Sequence, residues 1–200
     1  GITIPDSVTE IGEAAFQSCS ALTSVTLSQE LTEIADNLFI YCRALTDITI
    51  PENVTSIGER AFYSCAALGS LTIPDSVTSI GEYAFANCSV LTNVTFGGAV
   101  SALPNYAFSG CSALSSIWLP THLQQIGQYT FEECTQLQSV TLPGELVSID
   151  AYAFRNCTSL NNVVIPDTVT EIGACAFIGC SALSDLQLGS GLEQVGAAII

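Results

Sequence analysis

Apolar positions along this chain recur with a fixed period of 23 residues. Eight phenylalanines, Phe16, Phe39, Phe62, Phe85, Phe108, Phe131, Phe154 and Phe177, keep that interval without a slip. Each is followed three residues later by a cysteine, from Cys19 to Cys180, and three after that by a leucine, from Leu22 to Leu183. Within one unit, Val25 and Leu27 alternate with Ser24, Thr26 and Ser28, a period-two pattern that predicts a short strand with its aliphatic side chains inward. Its counterparts run from Ile2/Ile4 to Leu186/Leu188, giving nine strands, and proline ends six of them.

After each strand comes Val-x-x-Ile-Gly, as in Val54, Ile57 and Gly58. Its two inward aliphatics predict an extended segment crossing the end of the coil, with glycine suited to a φ-positive turn. Ala61, Phe62 and Cys65, spaced by one and three, predict one face of a helix of about one and a half turns. One such unit cannot bury enough surface to stand alone, so stacking must supply the rest. The expected fold is an α/β solenoid: a right-handed curved stack of 23-residue repeats, with a parallel β-sheet on the concave face and short helical turns on the convex face. Residues 1–200 read as one domain of eight complete units plus a partial ninth, a piece of a longer chain. In the fifth unit, Phe96, Gly97-Gly98 and Pro104 depart from the template, and a local irregularity is expected there.

Charge narrows the function. The net charge is −16, from 19 carboxylates against three arginines and no lysine, the wrong sign for nucleic acid or anionic lipid. The apolar runs are too short to cross a bilayer, so no membrane insertion is expected.

The pattern Cys65-x-x-Leu68-x-x-Leu71-x-Ile73-Pro74-x-x-Val77-x-x-Ile80-Gly81 resembles the BspA-like (Treponema-type) leucine-rich repeat, and the resemblance covers the whole chain. It implies a cell-surface or secreted protein whose repeats adhere to host, matrix or other cell-surface proteins. The defining residues are core residues, so they transmit fold far more than function.

Candidate sites lie in columns of outward residues. The exposed strand positions Thr3, Thr26, Thr49, Thr72, Thr95, Trp118, Thr141, Val164 and Gln187 line the concave face, with Asn93 and Ser116 beside Trp118. β-Branched threonines suit an exposed sheet whether or not it binds anything. A single exposed tryptophan among small polar residues instead has the character of an interface anchor or sugar platform, with His122 nearby as a helper. A tyrosine row, Tyr83, Tyr106, Tyr129 and Tyr152, is a second candidate for protein or glycan contact; shielding of the turns is its plainer reading. Glu13, Asp36, Glu59 and Glu82 form a carboxylate row, a weak cation candidate beside the plainer reading of solvated charge.

The cysteine ladder reads as buried free thiols, and Cys175, outside the ladder, is the most reactive of the nine. No catalytic residues and no cofactor are expected. The chain has one histidine, and Asp47 and Asp185 stand six strands apart, about 29 Å, where a glycosidase pair needs about 5–9.5 Å. The expected function is a non-catalytic, adhesion-type protein-binding module. The alternatives are a structural spacer presenting another domain, and a glycan-binding module.

Overall fold

The computed structural model describes residues 1–200 and contains strands and turns but no helix. The first ladder is built from the nine expected strands: Ile2–Thr3, Ser24–Thr26, Asp47–Ile48, Ser70–Ile73, Asn93–Phe96, Ser116–Trp118, Ser139–Thr141, Asn162–Val164 and Asp185–Gln187. All pairings are parallel with partners 23 residues apart, as in Ile117↔Val140 and Trp118↔Thr141. The chain is thus a parallel-strand solenoid of about eight turns.

The Val-x-x-Ile segments do more than cross the end of a coil. They form a second parallel ladder, from Glu33–Ile34 through Ser56–Ile57 and Gln125–Ile126 to Gln194–Val195, in the same 23-residue register. Fifty-three buried residues from all three sides of the coil make one continuous core. Along it the phenylalanines stack ring on ring, with neighbouring centroids such as Phe85–Phe108 at 5.2 Å and Phe108–Phe131 at 5.7 Å.

The expected helical turn is replaced by a third hydrogen-bonded run. Tyr83, Phe85 and Asn87 donate their N–H groups to the carbonyls of Asn105, Ala107 and Ser109 in the next unit. The alternate residues Ala84, Ala86 and Cys88 donate to carbonyls three residues back in their own unit. A helix this short would leave its first four N–H groups unpaired. The alternating arrangement pairs all six. It requires left-handed torsions at two places per unit, and these recur as columns: Arg60, Tyr83, Tyr106, Tyr129, Tyr152 and Cys175 in one; Ser64, Asn87, Gly110, Glu133, Asn156 and Gly179 in the other.

The glycine expectation also changes. Gly58 and Gly81 have no positive φ. A Cβ on Gly81 would come within 2.6 Å of the Gly58 carbonyl carbon and 2.7 Å of Glu59 Cα, so glycine serves close approach of adjacent coils. Gly12, in the same column of the first unit, has nothing within 4 Å. Gly81→Ala is expected to cost about 1–3 kcal/mol and Gly12→Ala almost nothing in urea denaturation; equal effects would refute the close-approach explanation.

The fifth unit is irregular in a definable way. In six other units the residue after the second-ladder strand donates to the preceding unit, as Gly81 does to Ile57 and Gly127 to Leu103. Pro104 has no N–H to offer Ile80, and the second ladder is interrupted between Ser79–Ile80 and Ala102–Leu103. The first ladder is interrupted between Asn93–Phe96 and Ser116–Trp118, one side of the same unit, and again between Asp47–Ile48 and Ser70–Ile73. An open cleft of about 330 Å³ lies at the Pro104 seam.

Candidate functional site

Trp118 closes a three-residue strand whose burial alternates exposed, buried, exposed, so that Ile117 enters the core and the indole points outward. The indole is 73% exposed. Thr141 is its register partner in the following unit, and Thr95 occupies the same column one unit earlier; both are exposed, as are Asn93 and Ser116. His122, in the turn beyond the strand, does not stand free. Its Nδ1 lies 3.0 and 3.1 Å from the two carboxylate oxygens of Glu145, a partner the sequence did not single out. That pairing joins equivalent turns 23 residues apart.

The tyrosine row is a stack. Ring centroids of Tyr83–Tyr106, Tyr106–Tyr129 and Tyr129–Tyr152 are 4.4, 4.6 and 4.7 Å apart, with planes within 6° of parallel. Left-handed φ values of 56–61° at all four residues set the rings in file. Tyr63 and Tyr41 extend the row edge-on at one end. They were missed because they belong to other columns, which converge only on the folded surface. Each arginine lies over one of these rings: Arg60 over Tyr83 at 4.9 Å, Arg43 over Tyr41 and Arg155 over Tyr152 at 5.9 Å. Arg60 also pairs with Glu59, and Arg155 with Glu132 at 2.9 Å. The faces of the stacked rings are thereby turned toward one another. Burial and the neighbouring phenols push the Tyr106 hydroxyl above its ordinary pKa, and a hydrogen bond with Cys175 does the same for Tyr152.

The carboxylate row borders an open trough of about 570 Å³ along the second ladder of the first four units, where Glu10 and Glu33 join it. Its members are individually engaged. Asp36 Oδ1 accepts the N–H of Glu59 at 2.7 Å, Glu13 accepts from Asn37, and Glu82 from Asn105 at 2.9 Å. No three His, Cys, Asp or Glu side chains converge as a metal site would require, so the row does not assemble the cation site considered from sequence.

The cysteines are all free. Seven thiols donate to the carbonyl of the phenylalanine 26 residues earlier, as Cys88 does to Phe62 at 3.2 Å and Cys111 to Phe85 at 3.3 Å. Burial raises the Cys42 thiol to about 11 and pushes Cys65, Cys88, Cys111 and Cys134 further up. These five are packing groups with a donor to satisfy, not nucleophiles; Cys180, at the end of the ladder, differs, its thiol pKa lowered by a hydrogen bond with Cys157.

The BspA type leucine rich repeat family, as a region of six copies, matches residues 1–115 and 101–199. A leucine-rich repeat protein from Bacteroides ovatus is 30% identical, with TM-score 0.82, over 98% of this chain and 62% of that one. One from Eubacterium ventriosum is 29% identical, with TM-score 0.71, over 88% and 57%. A leucine-rich repeat protein of T. pallidum is 29% identical, with TM-score 0.70, over 86% and 76%. The chain thus spans about 60% of the length of the first two. No curated protein is significantly similar to it. No helix is long and apolar enough to cross a membrane.

Proposed function

Because the chain belongs to the BspA-type leucine-rich repeat family, whose solenoids are typically non-enzymatic scaffolds for protein interaction, we propose that it is an adhesion-type protein-binding module of a cell-surface or secreted protein. The contact surface is the exposed face of the first ladder, concave in a right-handed curved stack, centred on Trp118. The observation that carries this reading is the indole itself. It is the largest exposed apolar side chain in the interior of the stack, 73% open to solvent, on a rigid strand whose flanks are small polar residues. An aromatic anchor on a preformed surface contributes contact area at little entropic cost.

A second reading, glycan binding, is favoured at the same place and not at the tyrosine row. The indole has free ring faces for a sugar to stack on, whereas the tyrosines stack on each other. The test is capture of extracellular-matrix and cell-surface proteins by the intact chain and by Trp118→Ala, with a carbohydrate array in parallel. Trp118→Ala is expected to reduce capture at least about tenfold, the size of a modest interface hot spot. Undiminished capture would refute the surface, and no capture of protein or glycan would favour the spacer.

A further inference from the structure

We infer that the first-ladder face takes a basic, extended polypeptide segment, with an arginine side chain of that segment lying over the Trp118 indole. The inference rests on the reading of this face as a contact surface and names the chemistry of its partner.

The first ground is what the molecule does with its other rings and cations. Every tyrosine has an aromatic neighbour, and every arginine lies over a tyrosine. Trp118 alone among the exposed rings has neither, although indole is the best cation acceptor of the aromatic side chains. The interaction that the chain makes internally three times, guanidinium over ring, is available at Trp118 to a guanidinium from outside.

Charge is the second ground. With the three arginines committed beside the tyrosines, the strand face carries carboxylates at Asp47 and Asp185, three strands to either side of Trp118, and no cation. Glu145 stands in the adjoining turn against His122. The surface belongs to a chain of net charge −16. An acidic partner meets repulsion and no counter-ion here; a basic one meets complementary potential.

Shape is the third. Strands of the first ladder are two to four residues long, which makes the face a ribbon roughly 7–13 Å wide running the length of the stack. One extended chain laid lengthwise fits that width. Thr141, about 4.8 Å from Trp118 on the paired strand, and Thr95, in the same column across the interruption on the other side, are short enough to leave the ring open to a side chain approaching from above.

The test uses an alternating arginine–serine peptide, with citrulline–serine and glutamate–serine peptides of the same length, at physiological salt, where diffuse attraction between separated charges is screened. Trp118 is the only tryptophan, so its fluorescence reports directly on the site. The arginine peptide is expected to shift that emission saturably, and the citrulline and glutamate peptides are not. Anisotropy of the labelled arginine peptide is expected to show binding weakened at least about fivefold by Trp118→Leu, the loss of one cation–π contact. Equal binding to Trp118→Leu, or equal binding of the citrulline peptide, would overturn the inference. If a partner captured through Trp118 is displaced by the arginine peptide, the inference is supported. If that partner is not displaced, the basic-segment inference falls while the contact surface stands. Capture independent of Trp118 removes both.

Discussion

Raising the pH above about 9 is expected to unfold this protein steeply, without any covalent change. Cys42, Cys65, Cys88, Cys111 and Cys134 are fully buried, and burial holds each thiol neutral well past the range in which a free thiol ionises. In the unfolded chain the same thiols lose their protons near pH 8.5–9. Above that value the unfolded state binds fewer protons than the folded one, so stability falls as pH rises, and it is fully present only below it. Each thiol contributes about 1.4 kcal/mol per pH unit, and five together about 7 kcal/mol per pH unit until Cys42 begins to ionise near 11. Tyr106, raised by burial and neighbouring phenols, adds in the same direction above about pH 10. Urea midpoints measured from pH 7.5 to about 10.5 should collapse over the upper half of the series. Cys88→Ala should lessen the slope by one thiol's share; a midpoint indifferent to pH would contradict the buried ladder.

Phe108→Ala is the second large effect. The ring is fully buried, stacked between Phe85 and Phe131, and met edge-on by Phe96 at 5.9 Å. Truncation should cost about 3–5 kcal/mol. Its position matters as much as its size. In a linear stack each unit is coupled only to its neighbours, and the fifth unit already lacks the second-ladder bond that Pro104 cannot make. Removing the ring there weakens the junction twice. Trp118 fluorescence, which reports the sixth unit, and circular dichroism, which reports the whole chain, should then give separate urea transitions. Coincident transitions would show that the seam still transmits cooperativity.

The unit length and the core columns were legible because a strict repeat makes the inward positions visible as vertical identities. Phe, Cys and Leu columns translate directly into the buried core. The third side of the coil departs from the helical expectation for a physical reason. Ala, Phe and Cys at positions such as 84, 85 and 88 satisfy the spacing of a short helix, but that spacing takes no account of bonds to the next coil, which alternate residues make instead. A signal was available: Asn87, Gly110, Asn156 and Gly179 share a column, and both residue types tolerate left-handed torsions. The glycines at 58 and 81 mark the turn in the sequence but not its cause, since backbone approach between coils leaves no local trace.

At the surface, the exposure of Trp118 followed from strand alternation. The stacking of the tyrosines, the arginines over them and the His122–Glu145 pair did not, because each joins residues from different units or columns.

A turn made of alternating torsions has a further consequence for how the molecule is met from a distance. A row of parallel helices would gather their peptide dipoles into about half an elementary charge at each helix end, fixed and repeated along one edge. No such row exists here. The long-range field is that of the side chains alone, 19 carboxylates against three arginines. It is a field that salt governs, fading over about 8 Å at physiological ionic strength. Encounter with a positively charged partner should therefore be fast in dilute buffer and slow in brine, and the reverse for a negatively charged one, while the lifetime of the complex, set by close contact, changes far less.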